Sequence, residues 1–178
     1  MPAIEQISET LIRNNITRAA GDVFRTMLGR ELALSPAVPD NTALWPPVQP
    51  ASGPIDTGPH IVGAVGFTGS IDGLLYLYLD LPFARLCTGH MLGMTDAELE
   101  EAGDEVVNDA IGEITNMTVG SFKNGLCDAG FPCTLTIPSI VRGSSFFIEP
   151  IRSVARRTYS FSCNGHRVVA NILINIGD

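Results

Sequence analysis

DAIGEITN, residues 109–116, sets two acids and an amide inside a stretch that otherwise reads as buried helix. At about 100° of rotation per residue, Asp109, Glu113 and Asn116 fall within an arc of about 60°, and the next step along that line is Gly120. Val107, Ala110, Ile111, Ile114 and Thr118 recur at i, i+3, i+4 and i+7 on the other side, which is therefore expected to pack on a core. The polar line then faces water or a partner, and it is expected to end in a notch where Gly120 has no side chain.

The segments around this helix set its architecture. Residues 82–92 read as a short helix opened by Pro82 and closed at Gly93. Asp96 is the expected cap of the next helix, with Glu98 and Glu100 in its early turns, and that helix is expected to run to about residue 126. Before it, IVGAVGF and GLLYLYLDL flank the turn residues TGSIDG. Leu75, Leu77, Leu79 and Leu81 alternate with Tyr76, Tyr78 and Asp80, predicting a hairpin with one core face. Gly63, Gly66, Gly69 and Gly73 read as turn and bulge positions, since no phosphate-cradling loop pattern accompanies them.

Residues 15–28 form an amphipathic pattern closed by Gly29, and the helix could extend back to residue 3. After residue 131 the period changes to two. Asn164-Gly165 is the strongest turn signal in the chain, and runs from about 144, 155 and 167 predict an antiparallel meander. In the last run Val168, Ala170, Ile172, Ile174 and Ile176 alternate with Asn171 and Asn175. The order helix, hairpin, helices, strands predicts an α+β domain: a mixed or antiparallel sheet with helices packed on one face. Residues 35–60 hold seven of the twelve prolines and read as a long loop, with Trp45 pinning it to the body.

The chain has 178 residues, 45% of them hydrophobic and 17% charged, the mixture of a single domain, 1–178, with a sizeable core. A net charge of -8 lacks the basic surface that phosphate backbones require, so nucleic acid is not an expected partner. No apolar run is long enough to span a bilayer and the N-terminal residues do not form a signal h-region, so a cytoplasmic location is expected and a membrane partner is not. Cys87, Cys127, Cys133 and Cys163 make no C-x-x-C pair and read as free thiols. His60, His90 and His166 lack ligand spacing, so no metal is assigned to this chain.

The pattern D-x-x-x-E-x-x-N followed by Gly120 resembles the active-site helix of the CheC, CheX and FliY family of chemotaxis phosphatases. GFTGSIDGLLYLYL is similar to that family's first hairpin, FARLCTGHMLGM to its short helix, and LTIPSIVRG to the strand after the active-site helix. One copy of the motif is present, because none of Glu5, Glu9 and Glu31 is followed by Asn three residues later; a single copy is more similar to CheX than to two-site CheC. The resemblance implies a phosphatase for the aspartyl phosphate of a CheY-like receiver domain. It implies that Asn116 orients the attacking water and Glu113 pairs with a receiver lysine, while Asp109, Gly120 and Lys123 seat the partner. It also implies a homodimer, for which sheet edges at the tyrosine side of LLYLYLDL or in the C-terminal meander are the candidates.

Such a sparse site suits the chemistry. An acyl phosphate is already reactive, and a loose transition state needs water held in line and charge neutralised more than it needs a nucleophile. An amide offers an acceptor and donors without competing for phosphorus. Mg2+ is expected on the receiver, with no cofactor in this chain. Lys123 and Arg142 are the local cations expected to offset the acidic net charge. The second reading is a non-enzymatic module of the same fold, a docking or flagellar-switch component that uses the stripe only to bind.

Overall fold

A computed structural model describes residues 7–36, 44–45, 58–144, 146–147 and 154–175. Helix α1 spans Glu9–Leu28, with Leu11 N donating to the Ser8 hydroxyl at 3.1 Å and Gly29 closing it at φ +58°. It reaches farther back than residue 15, to Glu9 behind the Ser8 cap, and residue 3 lies outside the described residues. Strands β1 (Ala33–Leu34), β2 (Leu44–Trp45), β3 (His60–Gly69) and β4 (Gly73–Asp80) follow. Then come helices α2 (Leu81–Leu92), α3 (Asp96–Ala102) and α4 (Asp104–Asp128), and strands β5 (Cys133–Leu135), β6 (Ser139–Gly143), β7 (Phe146–Phe147), β8 (Val154–Cys163) and β9 (His166–Asn175).

Among the described residues the main sheet has the order β1-β8-β9-β4-β3-β5, with β6 also on β3, and every pairing is antiparallel. That resolves the expected mixed or antiparallel sheet as antiparallel. Apart from β6, the order is a palindrome of two like halves, α1-β1-β2-β3-β4 and α4-β5-β7-β8-β9, in which β2 of one half pairs with β7 of the other. Ile61, Val65 and Phe67 of β3, Leu75, Leu77 and Leu79 of β4, and Val168, Ala170, Ile172 and Ile174 of β9 bury against α1, α2 and α4 in one core. The helices thus lie on one face, as expected. Phe67 of the sheet meets Phe122 of α4 edge-on at 5.9 Å, and each such burial contributes on the order of 1.5–3 kcal/mol.

Several expectations need correction. The helix expected over 96–126 is two, because Gly103 stands between α3 and α4 at φ +83°, a conformation that β-carbon residues avoid. Thr95, not Asp96, caps α3: its hydroxyl accepts from Glu98 N while Glu98 Oε2 accepts from Thr95 N at 2.7 Å, a reciprocal capping box. The run from 144 leaves the sheet, since β7 pairs with β2, so the meander reduces to the β8–β9 hairpin with Asn164 and Gly165 at positive φ.

The hairpin β3–β4 is not one-faced either. Val62, Tyr78 and Val169 form a second buried cluster on the face away from the helices, and Tyr78 is 1% exposed. Asn171 is also fully buried, with its amide oriented so that Oδ1 accepts from Arg156 Nε and Nη2 at 2.9 and 2.8 Å. Strand β4 is interior to the sheet, which removes it as a dimer edge; β8 before Ser160 keeps an edge unpaired by any described residue. Most of the expected loop at 35–60 lies outside the described residues; within it Leu44–Trp45 pairs with Phe146–Phe147, and its ends join the main sheet through Ser35 N, which donates to Ser160 O, and His60, the first residue of β3.

Helix α4 is seated by two close approaches. A β-carbon on Gly63 would overlap the Thr115 side chain, so this mid-strand glycine, read from sequence as a turn or bulge residue, is there to let the helix lie directly on β3. A β-carbon on Gly125 would overlap the Asn15 amide, whose Nδ2 donates to Phe122 O at 2.7 Å. Sheet contact fixes the helix from below and α1 fixes it from the side.

Candidate functional site

The seating of α4 determines what its other face presents. Val107, Ala110, Ile111, Ile114 and Thr118 are buried, as their spacing predicts. Asp109 and Glu113 are exposed, and Asn116, Gly120 and Lys123 are half-buried along the same line. All five expected site residues therefore sit on one stripe of one helix. Glu113 and Asn116 are three residues apart, about 4.5 Å along the axis, on adjacent turns. At Gly120 a β-carbon would stand 3.9 Å from Leu135 Cδ1 of β5, ordinary contact distance, so packing within the fold does not itself require glycine there.

No described residue hydrogen-bonds or ion-pairs with the side chains of Asp109, Glu113 or Asn116. The stripe faces outward, and its polar groups are open to hydrogen bonds with water or with another molecule. A carboxylate there can accept from a cation, and the amide can accept and donate at once.

Arg142, expected as a free cation beside the stripe, is engaged within the fold. Its Nε donates to Asn108 Oδ1 at 2.6 Å, its Nη2 to Asp104 O at 2.9 Å, and its Nη1 pairs with Asp104 Oδ1 at 2.9 Å. This clamp ties β6 to the start of α4, where Gly103 offers no side-chain cap. Lys123 is then the cation on the stripe itself. The bracing of α4 by Arg142 crosses 34 residues of sequence, so only the pairing of β6 with β3 makes it visible.

The other titratable groups stand elsewhere. His166 Nδ1 lies 3.0 Å from Asp80 Oδ2, with its ring stacked on Phe83 at 4.7 Å, next to the start of α2. The four thiols are free, and burial pushes Cys87 up to about 12 and raises Cys133 and Cys163. Those three are protonated at neutral pH and are not activated nucleophiles. Among the described residues no group of three or more His, Cys, Asp or Glu is arranged to hold a metal ion, and no helix is long and apolar enough to cross a membrane.

An antiparallel sheet under a helix layer, with an acid and an amide unpaired on the outer face of the longest helix, defines an α+β protein of the CheC and CheX type. The family profile described as chemotaxis phosphatase CheX matches residues 61–162. The CheY-P phosphatase CheX of Thermotoga maritima is 31% identical over 109 residues, covering 57% of this chain and 68% of that one. The chain belongs to the CheX family of chemotaxis phosphatases. Its fold matches the crystal structure of chemotaxis protein CheX from Desulfovibrio desulfuricans with a TM-score of 0.73 at 20% identity, over 92% of this chain and 98% of the other. It also matches a chain of the CheX-CheY-BeF3-Mg2+ complex from Borrelia burgdorferi, with a TM-score of 0.62 at 19% identity over 92% and 97%.

Proposed function

We propose that this protein hydrolyses the aspartyl phosphate of a CheY-like receiver domain and so terminates a two-component signal. The observation that carries the reading is the unpaired Glu113 and Asn116, rigidly presented on α4 in a chain of the CheX family. A stripe on the outward face of a helix can enter the pocket of another protein. In this reading Glu113 pairs with a receiver lysine and Asn116 holds a water in line with the acyl phosphorus. Asp109 and Lys123 contact the rim of the pocket, and Gly120 leaves the partner room beside Asn116.

The division of labour follows from the reaction. Phosphoryl transfer through a loose transition state gains most from position and charge neutralisation. Asn116 is neutral, so unlike a carboxylate it can approach the phosphoryl oxygens without repulsion. The receiver brings its own Mg2+, which supplies the charge neutralisation in this reading. The docking-module alternative uses the same stripe but gives Glu113 and Asn116 one task, binding.

The decisive experiment follows the lifetime of a CheY-type receiver phosphorylated by a small phosphodonor, with and without this protein. A catalytic amount of protein should shorten that lifetime; an unchanged lifetime for every receiver tried would remove the phosphatase reading. The reading also includes a homodimer paired through sheet edges in the cytoplasm. Light scattering should give twice the 19.0 kDa chain mass, and a monomer mass at micromolar and higher concentration would remove the dimer.

A further inference from the structure

Four large apolar residues are exposed among those described, and Ile137 stands apart at 87% exposure; the next, Leu92, is at 51%. A single exposed aliphatic residue is ordinary. The position and rigidity of this one are not.

Strand β5 pairs with β3 up to Leu135↔Phe67, Thr136 N donates to Gly66 O at 2.9 Å, and β6 resumes the pairing at Ser139↔Ala64. Ile137 and Pro138 therefore stand opposite the single residue Val65, which makes them a bulge on the sheet edge. Gly66 N donates to Thr136 Oγ1 at 2.9 Å, pinning the bulge on one side, and the β6 ladder pins it on the other. Proline fixes φ at its tip, and a β-branched side chain has few rotamers to lose.

The bulge lies beside the stripe. Leu135 lies next to Gly120 and Ile140 lies 4.0 Å from where a β-carbon on Gly112 would be. The segment thus passes along α4 from the level of Gly120 to that of Gly112, about 12 Å of helix axis, and Ile137 crosses it near the level of Asn116. An apolar side chain is thus presented to solvent from the strand segment that runs beside the stripe, near the level of the amide that the proposed reaction depends on.

Long-range charge does not draw a receiver to this face. The net charge of -8 includes Asp109 and Glu113 of the stripe, and Arg142 is held by Asp104 and Asn108. Association at such a face draws on short-range contacts, with apolar burial beside the Glu113 pair. We infer that Ile137 is the apolar anchor by which this protein docks a receiver domain, inserting beside the phosphoryl pocket while Asn116 enters it. The inference rests on the phosphatase reading and adds to it a residue that governs receiver affinity.

The test uses the full chain and a CheY-type receiver loaded with beryllium trifluoride and Mg2+ for binding, and the same receiver phosphorylated for turnover. Ile137→Ser should weaken binding and raise KM by about 10-fold or more, the scale of returning an isoleucine to water, while kcat at saturation stays near wild type. Ile137→Leu should recover most of the affinity. Val141→Ser is the control, because Val141 is 47% exposed but pairs opposite Val62 on the face away from α4, and it should leave binding unchanged. Ile137→Ser binding within twofold of wild type overturns the anchor, as does an equal loss in Val141→Ser. Wild type that neither binds nor dephosphorylates any receiver overturns the phosphatase reading and the anchor with it.

Discussion

Helices α1 and α4 occupy equivalent places in the two halves of the palindromic sheet, pack side by side, and treat their polar groups in opposite ways. A shift of 98 residues superposes their buried faces: Ile16 on Ile114, Ala20 on Thr118, Phe24 on Phe122, Leu28 on Leu126. The same shift sets Asn15 at the place of Glu113, Arg18 at that of Asn116 and Asp22 at that of Gly120. On α1 every one of these groups is engaged. Asn15 is buried and bonds to Phe122 O, and Arg18 Nη2 donates to Asn15 Oδ1 at 2.9 Å and to Ser121 O at 3.2 Å. Asp22 pairs with Arg18 and Arg25, and Arg25 with Glu31. On α4 the corresponding acid and amide have no partner among the described residues. The face that stabilises the protein and the face that can act on another molecule are thus separated onto two helices of one layer, with the first used to hold the second.

The strongest perturbation of this arrangement is to unseat α4. Gly63→Ala places a methyl group into the Thr115 side chain, with both sites buried, and the helix backbone must lift from β3. Overpacking of this kind costs about 3 kcal/mol, which for a chain of this size lowers Tm by roughly 10 °C in calorimetry. Turnover should fall as well, since the stripe moves with the helix. An unchanged Tm would mean that α4 slides without cost and that its seating does not fix the stripe.

Asn116→Ala sharpens the contrast. No described residue bonds to this amide, so Tm should stay within a degree or two and receiver binding should hold, while dephosphorylation slows by about 10²-fold or more, the scale of losing one preorganised polar group. Equal turnover in the variant would transfer the stripe from catalysis to binding. Glu113→Lys has the next effect. It replaces attraction to a receiver lysine by repulsion, so titration against the beryllium trifluoride receiver should show affinity reduced by about 10- to 100-fold, and the melting curve should not move.

The α4 stripe was legible because helical spacing alone separates Val107, Ala110, Ile111 and Ile114 from Asp109, Glu113 and Asn116, and burial follows that spacing closely. Caps and turns with one strong residue were legible too, as at Pro82, Gly93 and Asn164-Gly165. Other features depended on neighbours distant in sequence. Tyr78 and Asn171 alternate with core residues and so read as solvent-facing, but they lie on central strands whose second face is also buried. Gly63 carries no local sign that Thr115 will lie on it. Ile137 sits in a short polar-flanked run, and its prominence arises only because β5 and β6 both pair with β3 and leave it in the gap. Gly103 lies within an acidic helical pattern, so the break there follows from its backbone conformation and not from any change of period.

The smallest expected effect is the most direct trial of the comparison itself. Arg18 occupies on α1 the place that Asn116 has on α4, and a groove of about 570 Å³ lined by Glu9, Arg13, Asn14, Thr17, Arg18 and Leu34 runs along that face. If the polar groups of α1 serve only to hold the helix pair, removing them should cost stability and nothing else. The Arg18–Asp22 pair has side chains 51% and 48% exposed at 3.8 Å, so its own contribution is within the 0–1 kcal/mol of surface ion pairs. Asp22→Ala removes this pair and the similarly exposed pair with Arg25 at 3.4 Å, so it should lower Tm by no more than about 5 °C and leave receiver turnover unchanged. Arg18→Ala also removes the bonds to Ser121 O and Asn15, and should cost somewhat more, about 1–2 kcal/mol, because the buried Asn15 Oδ1 loses its donor. A fall in turnover on Asp22→Ala comparable to that of Asn116→Ala would show that the α1 face takes part in catalysis, and the separation of tasks between the two helices would not hold.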